Sequence, residues 1–377
     1  MTTASPGFPA RTTQYLRSHP ISLLLLALPL AAMAEFMHWG GMAVFILSCI
    51  AIIPMAGYIG DSTEALTEYT GPRIGGLLNA TLGNAAELII TIVAIREGLL
   101  ELVLASITGS ILGNILLVMG MSFLLGGLRH GIQRYDRRHA GRNAILLMLA
   151  VIALLIPSML SSSIGPATDV RVETLSLGVA VIMIVLYVAA LVYGYRSQTT
   201  VVSPAVGTEP PAAAAHGHKA HAGPHWSLRT ALIVLALSTI GVVFLSEWLV
   251  GAVEPVVASL GVSEFFLGVI LIPIIGNVAE HLVAVKVAMD NEMDLSVEIA
   301  VASSLQIALF VAPVLVFISL AMGNPLQLIF NQFELLALIV GVLIAALVSM
   351  DGESNWLEGA ELLAVYVILG LAFFLLP

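Results

Sequence analysis

Leu82-Gly83-Asn84-Ala85-Ala86-Glu87-Leu88 and Ile275-Gly276-Asn277-Val278-Ala279-Glu280-His281 decide how this chain folds. Each stretch sets Gly-Asn-x-Ala-Glu in the middle of a long apolar run. Ionisable residues inside a membrane span are expensive, and by default they mark an ion or proton path. Two carboxylates in matching words, about half a chain apart, point to one site built by two copies of one unit.

The match extends outward from those words. Setting Gly83 over Gly276, an offset of 193, puts Asn84 on Asn277 and Glu87 on Glu280. Without any gap Ser110 then falls on Ser303 and Leu112 on Leu305, so glycine and serine are 27 residues apart in both halves. Chance produces two short words easily, but rarely holds their register that far.

Composition places the unit in a membrane. Of 377 residues, 59% are hydrophobic and 10% charged, where a soluble domain carries roughly 25% charge. An all-α integral membrane protein is expected. The one cysteine, Cys49, lies in an apolar run and leaves no disulfide framework. The formal net charge of −10 gives no reason to expect nucleic acid as a partner. The first apolar run, from Ile21, has no small-residue cleavage site, so no cleavable signal peptide is expected.

Windows of about 20 residues give eleven candidate spans: 21–37, 40–60, 75–95, 100–125, 144–160, 175–195, 227–250, 265–289, 296–322, 334–350 and 356–376. They predict a cytoplasmic tail over 1–20, an extra helix 1 over 21–39, a first repeat over 40–196, a linker over 197–226 and a second repeat over 227–377. Helices 2–6 would match helices 7–11. Five is odd, so the second copy enters the membrane from the opposite side, the inverted-topology arrangement of many secondary transporters, with the substrate site near the midplane. The linker carries Pro204, Pro210 and Pro211 with His216, His218, His221 and His225, and has little to bury. Its histidines lack an ordered metal-ligand spacing, so a solvated loop is the simpler reading.

The basic residues test the count. With eleven spans, Arg96 and Arg171 fall on one side and the other twelve of the 14 on the opposite side. Basic loops stay cytoplasmic, which predicts a cytoplasmic N-terminus and an external C-terminus. The expected location is a prokaryotic cytoplasmic membrane.

The polar residues of the spans form stripes. Asn84, Glu87 and Thr91 share one helix face, Asn277 and Glu280 repeat it, and His281 lies beside it. Ser106, Ser110 and Asn114 recur every four residues, and Ser303 and Gln306 are three apart. Gly75, Gly76, Gly83, Pro273 and Gly276 permit bends. Helix packing and interhelical hydrogen bonds explain the serines and amides singly, but they do not require two acids at that depth. Carboxylates with amide, hydroxyl and carbonyl oxygens make a hard cage that suits Ca²⁺, which takes six to eight oxygens at roughly 2.3–2.6 Å. The expected cation ligands are Glu87, Glu280, Asn84, Asn277, Ser110, Asn114, Ser303 and Gln306. Glu87, Glu280 and His281 would handle protons, and Glu64, Glu68 and Glu254, near helix ends, would guide cations inward. Ca²⁺ or two protons neutralise both acids, whereas the empty dianion is costly in low dielectric. That asymmetry is what obligatory exchange needs. No cofactor is expected; Ca²⁺ and H⁺ are cargo, and the bilayer is the remaining partner.

These words resemble the calcium/proton exchanger (CAX) family of the cation/calcium exchanger superfamily. The resemblance rests on 78–90, on Gly109-Ser110-Ile111-Leu112-Gly113-Asn114, on Gly276-Asn277-Val278-Ala279-Glu280-His281, and on Asp294-Leu295 followed by 303–310. It implies eleven helices in two inverted five-helix repeats. It also implies Ca²⁺ held by Glu87 and Glu280 with Asn and Gln groups assisting. The family often has an acidic stretch where this chain has its Pro/Ala/His linker, and Ala302 stands where glycine is common. A sodium-driven calcium exchanger or a monovalent cation/proton antiporter of the same fold are the near alternatives. An intramembrane hydrolase would need a motif such as His-Glu-x-x-His, which the sequence lacks.

Overall fold

The computed structural model describes residues 20–165, 169–200 and 226–376. The tail expected over 1–20 lies outside the described residues but for Pro20. Of the linker, the stretch 201–225 with its four histidines also lies outside them.

Backbone polar groups in a bilayer must be satisfied within the segment, so the apolar runs become helices. A tight helical turn, Pro20–Leu26, leads into α1 (Ala27–Phe36), followed by α2 (Gly41–Leu82), α3 (Ala85–Arg96), α4 (Leu100–His130), α5 (Arg137–Ile164) and α6 (Val170–Thr200). After 201–225 come α7 (Leu228–Gly251), the short α8 (Val253–Leu260), α9 (Glu264–Met289), α10 (Met293–Met322), α11 (Gln332–Val348) and α12 (Trp356–Leu375). Among the described residues eight helices are long and apolar enough to cross a membrane. Two shorter apolar helices, Ser22–Phe36 and Gln332–Val348, overlap the first and tenth expected spans, and the third expected span, 75–95, is divided between the end of α2 and α3.

One boundary differs from expectation. A loop is expected between the second and third spans, yet α2 is helical throughout. It is nevertheless folded back on itself. Residues eight apart in a straight helix are separated by about 12 Å along the axis, whereas a Cβ on Gly75 would lie 2.7 Å from Thr67 Cβ. The reversal falls between Thr67 and Gly75, a stretch whose sequence includes Pro72, which has no backbone donor. Helical hydrogen bonding thus continues around a corner that composition alone reads as a loop.

Regular helix is interrupted where the motifs lie. α2 ends at Leu82, and Asn84, at φ −100° and ψ 24°, separates it from α3. In the second half the distortion sits one turn upstream, as a π-turn over Leu267–Leu271. Pro273 lacks the N–H that an α-helix would offer to the Val269 carbonyl, and Gly109 of α4 packs directly on that oxygen. Further π-turns, Gly113–Val118 in α4 and Ile307–Val311 in α10, fall one offset apart. Such turns commonly accompany functional sites.

Hydrogen bonds sort the connections into two sets. In one, Arg96 pairs with Glu247 at 2.9 Å, Asn324 donates to the Ile95 carbonyl at 3.0 Å, and Ser158 and Ser176 bind the backbone of 328–330. In the other, β1 (Gln133–Arg134) pairs antiparallel with β2 (Glu353–Ser354), and Gln133 donates to the Ala288 carbonyl at 2.9 Å. His130 contacts the Met289 carbonyl, and Tyr69 donates to the Trp226 carbonyl at 2.7 Å. Asp169, just before α6 in the first set, has its carboxyl held down to about 2 by the hydrogen-bonded Arg171 guanidinium.

Small residues let α4 and α12 touch. A Cβ on Gly359 would strike the Leu124 backbone nitrogen, and one on Gly127 the Trp356 nitrogen. Gly178 in α6 faces open space. Overpacking costs roughly 1–3 kcal/mol and more where backbone cannot move. Gly359→Val is therefore expected to lower the melting temperature of purified protein by several degrees, and Gly178→Ala to leave it near wild type. Equal melting of the two would show that the α4–α12 contact is not tight.

Candidate functional site

Glu87 and Glu280 are brought to the junction of the two halves. Glu87, in the first turn of α3, is 2% exposed, and Glu280, within α9, is half-buried. A Cβ on Gly276 would lie 3.2, 3.3 and 3.4 Å from Cγ, Cδ and Oε1 of Glu87. A Cβ on Gly83 would lie 3.4 Å from Glu280 Oε1. Each carboxylate therefore lies against the glycine of the other motif, most tightly Glu87 against Gly276.

The two motif asparagines are turned so that their oxygens stay available. Asn84 Nδ2 donates to Gln306 Oε1 at 2.7 Å. Asn277 Nδ2 donates to the Pro273 carbonyl at 3.1 Å and to Ser110 Oγ at 3.5 Å. With the amide nitrogens spent, Asn84 Oδ1, Asn277 Oδ1 and both oxygens of Glu87 remain buried without a hydrogen-bond partner. A buried acceptor left unpaired costs about 1–3 kcal/mol. Four orphan oxygens around one glycine pair form an acceptor-only cluster, the donor set a hard cation needs.

The other expected ligands are present but differently employed. Asn114 Nδ2 donates to Ser303 Oγ at 3.0 Å, and Ser303 Oγ donates to Glu280 Oε2 at 3.0 Å. Asn114 Oδ1 lies 3.2 Å from His281 Nε2. Asn114 and Gln306 thus commit their oxygens to other side chains, and Ser110 accepts from Asn277. Thr91, expected on the Glu87 face, donates to the Glu87 carbonyl at 2.6 Å and stays within its own helix. Ser106 is buried in α4.

The acids expected to guide cations are exposed. Glu64 and Glu68 are in α2 close to the Tyr69–Trp226 contact, and Glu254 is in α8. Asp294 lines a cavity of about 160 Å³ with Asp136, His139, Asn143 and Glu298, and accepts from the Asp136 backbone N–H. One buried acid lies outside the expected site: Glu334 is 2% exposed, accepting from Thr108 Oγ1 at 3.3 Å and from the Asn331 N–H at 2.7 Å. The signal was available in Asn331-x-x-Glu334, a capping-box spacing that the structure realises.

Adding a methyl at Gly276 would press the Glu87 carboxyl out of place by a few tenths of an ångström. An off-rotamer shift costs about 1 kcal/mol, so Gly276→Ala is expected to weaken Ca²⁺ binding roughly fivefold by calorimetry. Unchanged affinity would mean that the Glu87–Gly276 contact does not hold the carboxyl in place.

The comparisons with known proteins follow the same lines. The profile of the sodium/calcium exchanger protein family matches residues 40–196 and 230–375. The Ca²⁺/H⁺ antiporter ChaA of Bacillus subtilis (strain 168) is 46% identical over 357 residues, covering 94% of this chain and 98% of that one. The Ca²⁺/H⁺ antiporter of Aphanothece halophytica is 44% identical over 357 residues, covering 94% and 96%. The solved structure of native YfkE superposes with a TM-score of 0.80 at 44% identity, covering 94% of this chain and 100% of that one. The chain belongs to the sodium/calcium exchanger protein family, and within it to the calcium/proton exchangers that its motifs resemble.

Proposed function

We propose that this protein exchanges cytoplasmic Ca²⁺ for protons by alternating access, with Glu87 and Glu280 binding either cargo. The observation that carries the reading is the acceptor-only cluster at the junction: Glu87 with both oxygens unpartnered, beside the orphan oxygens of Asn84 and Asn277. A cluster with no fixed counter-charge is costly unless something mobile neutralises it, and a divalent cation or protons do so. The named activities of the ChaA and Aphanothece relatives point the same way. The chain is a transporter by family and not an enzyme, which removes the intramembrane hydrolase from consideration.

In this mechanism Glu87, Glu280, Asn84 and Asn277 supply the cation's oxygens, Ser110 and Gln306 hold the asparagine amides, and Glu280, the half-buried acid of the pair, exchanges protons. Ser303 and Asn114 orient Glu280, and His281 acts with them. Glu64, Glu68 and Glu254, all exposed, draw cations toward the two mouths.

We further read the chain as eleven spans in two inverted repeats, helices 2–6 and 7–11. The two sets of bonded connections support this, because each joins only loops that such a count assigns to one side. Matching π-turns in α4 and α10 support the repeat. The loops that carry most of the basic residues would then be cytoplasmic, with the N-terminus inside and the C-terminus outside a prokaryotic cytoplasmic membrane. Sodium-driven exchange and monovalent cation/proton exchange remain the alternatives to be tested.

Everted vesicles separate these readings. A pH gradient, acid inside, is expected to drive Ca²⁺ uptake, and a Na⁺ gradient is not. Uptake driven by Na⁺ alone would defeat proton coupling. Glu87→Gln and Glu280→Gln are each expected to lower pH-driven uptake by at least about 100-fold, as loss of a neutralisable charge at the site requires. Robust uptake by either variant would misplace the site.

A further inference from the structure

The face between α5 and α11 carries an open cavity of about 450 Å³, lined by none of the motif residues. Its origin is in the sequence. Arg137, Gly141, Ala144, Ile145 and Leu149 recur at three- and four-residue spacing, so they share one face of α5, and all five line the cavity. Ala346 of α11 and Met350, just after it, line the opposite side. Gly141, Ala144 and Ala346 have too little side chain to fill the space between the helices, and a trough remains. A Cβ on Gly141 would meet nothing within 4 Å. Ile145, Leu149 and Met350 are exposed and form apolar walls.

Length and charge select what fits there. Leu149 lies 149 − 137 = 12 residues beyond Arg137, which is about 18 Å of helix axis. One leaflet is about half of a hydrocarbon core roughly 30 Å thick. The trough therefore runs about the depth of one leaflet, and a guanidinium stands at its outer end. Arg137 opens α5, directly after the cap residue Asp136, and is exposed. Among the described residues the ion pairs engage Arg96, Arg134 and Arg171, and none engages Arg137. Acids in the adjoining turns are already committed. Asp136 accepts from the Arg138 and His139 N–H groups, Asp351 accepts from the Glu353 N–H, and Glu353 pairs with Arg134.

We infer that this trough binds one anionic phospholipid, with an acyl chain lying over Gly141 and Ala144 and the phosphate held by Arg137. The inference needs only that the chain lies in a membrane, and it stands apart from the exchange reading. Below Arg137 the lining is apolar except for Ser349, as a methylene chain requires. Arginine suits the other end, because its planar fork gives phosphate two parallel N–H bonds. Apolar side chains of a second copy would fill the trough but leave the guanidinium desolvated and unpaired, which is costly. An anionic phospholipid satisfies both ends at once.

Arg138 supplies an internal control. It carries the same charge one residue on, roughly 100° round the helix, and does not line the trough.

The test is native mass spectrometry of the full-length protein in detergent, titrated with phosphatidylglycerol or phosphatidylcholine of identical acyl chains. For the first lipid bound, the wild-type protein is expected to hold phosphatidylglycerol about fivefold more tightly, the contribution of one basic residue near a membrane surface. Arg137→Gln is expected to abolish that preference, and Arg138→Gln to leave it within about twofold. Gly141→Leu fills the trough with a better helix former and is expected to weaken both lipids at that site. Equal wild-type affinity for the two lipids overturns the inference. Equal loss in the two arginine variants also overturns it, because that outcome marks a general surface charge. Displacement of phosphatidylglycerol by free glycerol 3-phosphate contradicts it by assigning the site to a soluble anion. A change of oligomer mass in Gly141→Leu with lipid binding unaltered contradicts it in favour of a contact between copies. Both arginines are exposed, so their comparison decides the matter even where Gly141→Leu fails to fold.

Discussion

Two carboxylates, each packed against the glycine of the other motif, are the constraint to which the rest of this molecule answers. Taking an ionised carboxylate out of water costs several kcal/mol even after relaxation, and each unpaired buried acceptor adds about 1–3 kcal/mol. Net stability of a folded domain is only about 5–15 kcal/mol. Glu87 with both oxygens unpartnered, beside two orphan amide oxygens, is therefore a large local cost. On the proposed reading it is tolerable because cargo supplies the neutralisation, which would tie structure to transport.

The scaffold around the pair is arranged to keep those oxygens exposed to one another. Gln306, Ser110 and the Pro273 carbonyl take up the amide protons of Asn84 and Asn277, which fixes the orientation of both side chains. The break at Asn84 and the π-turn before Pro273 bring helix interruptions to the same place by different means. Glycine contacts, Gly109 on the Val269 carbonyl and Gly359 on α4, bring the surrounding helices close enough to limit lateral give. The connections at each end are tied among themselves by the 133–134/353–354 ladder and by the Arg96–Glu247 pair.

Much of this was legible in the sequence. The repeated word Gly-Asn-x-Ala-Glu and its offset located both carboxylates and both asparagines, because a charge inside an apolar run admits few readings. What spacing could not convey is the direction in which an amide points. For Asn114 and Gln306, expected as cation ligands, spacing did not show that their oxygens accept from His281 and Asn84. Those partners lie 167 and 222 residues away in the chain. The corner in α2 between Thr67 and Gly75 lies in a stretch left between two expected spans, since composition does not distinguish a loop from a helix that turns. The burial of Glu334 was not legible either, because its partner Thr108 comes from another helix.

Proton release on Ca²⁺ binding tests the central claim most directly. Calorimetry of the purified protein in buffers of different ionisation enthalpy gives the number of protons displaced by each Ca²⁺. If cation and protons compete for one carboxylate pair, release approaches one proton per glutamate at acid pH and falls toward zero as the pH rises. The release disappears when Glu87 and Glu280 are both replaced by Gln. Ca²⁺ binding at that site with no proton release at any pH would contradict the account.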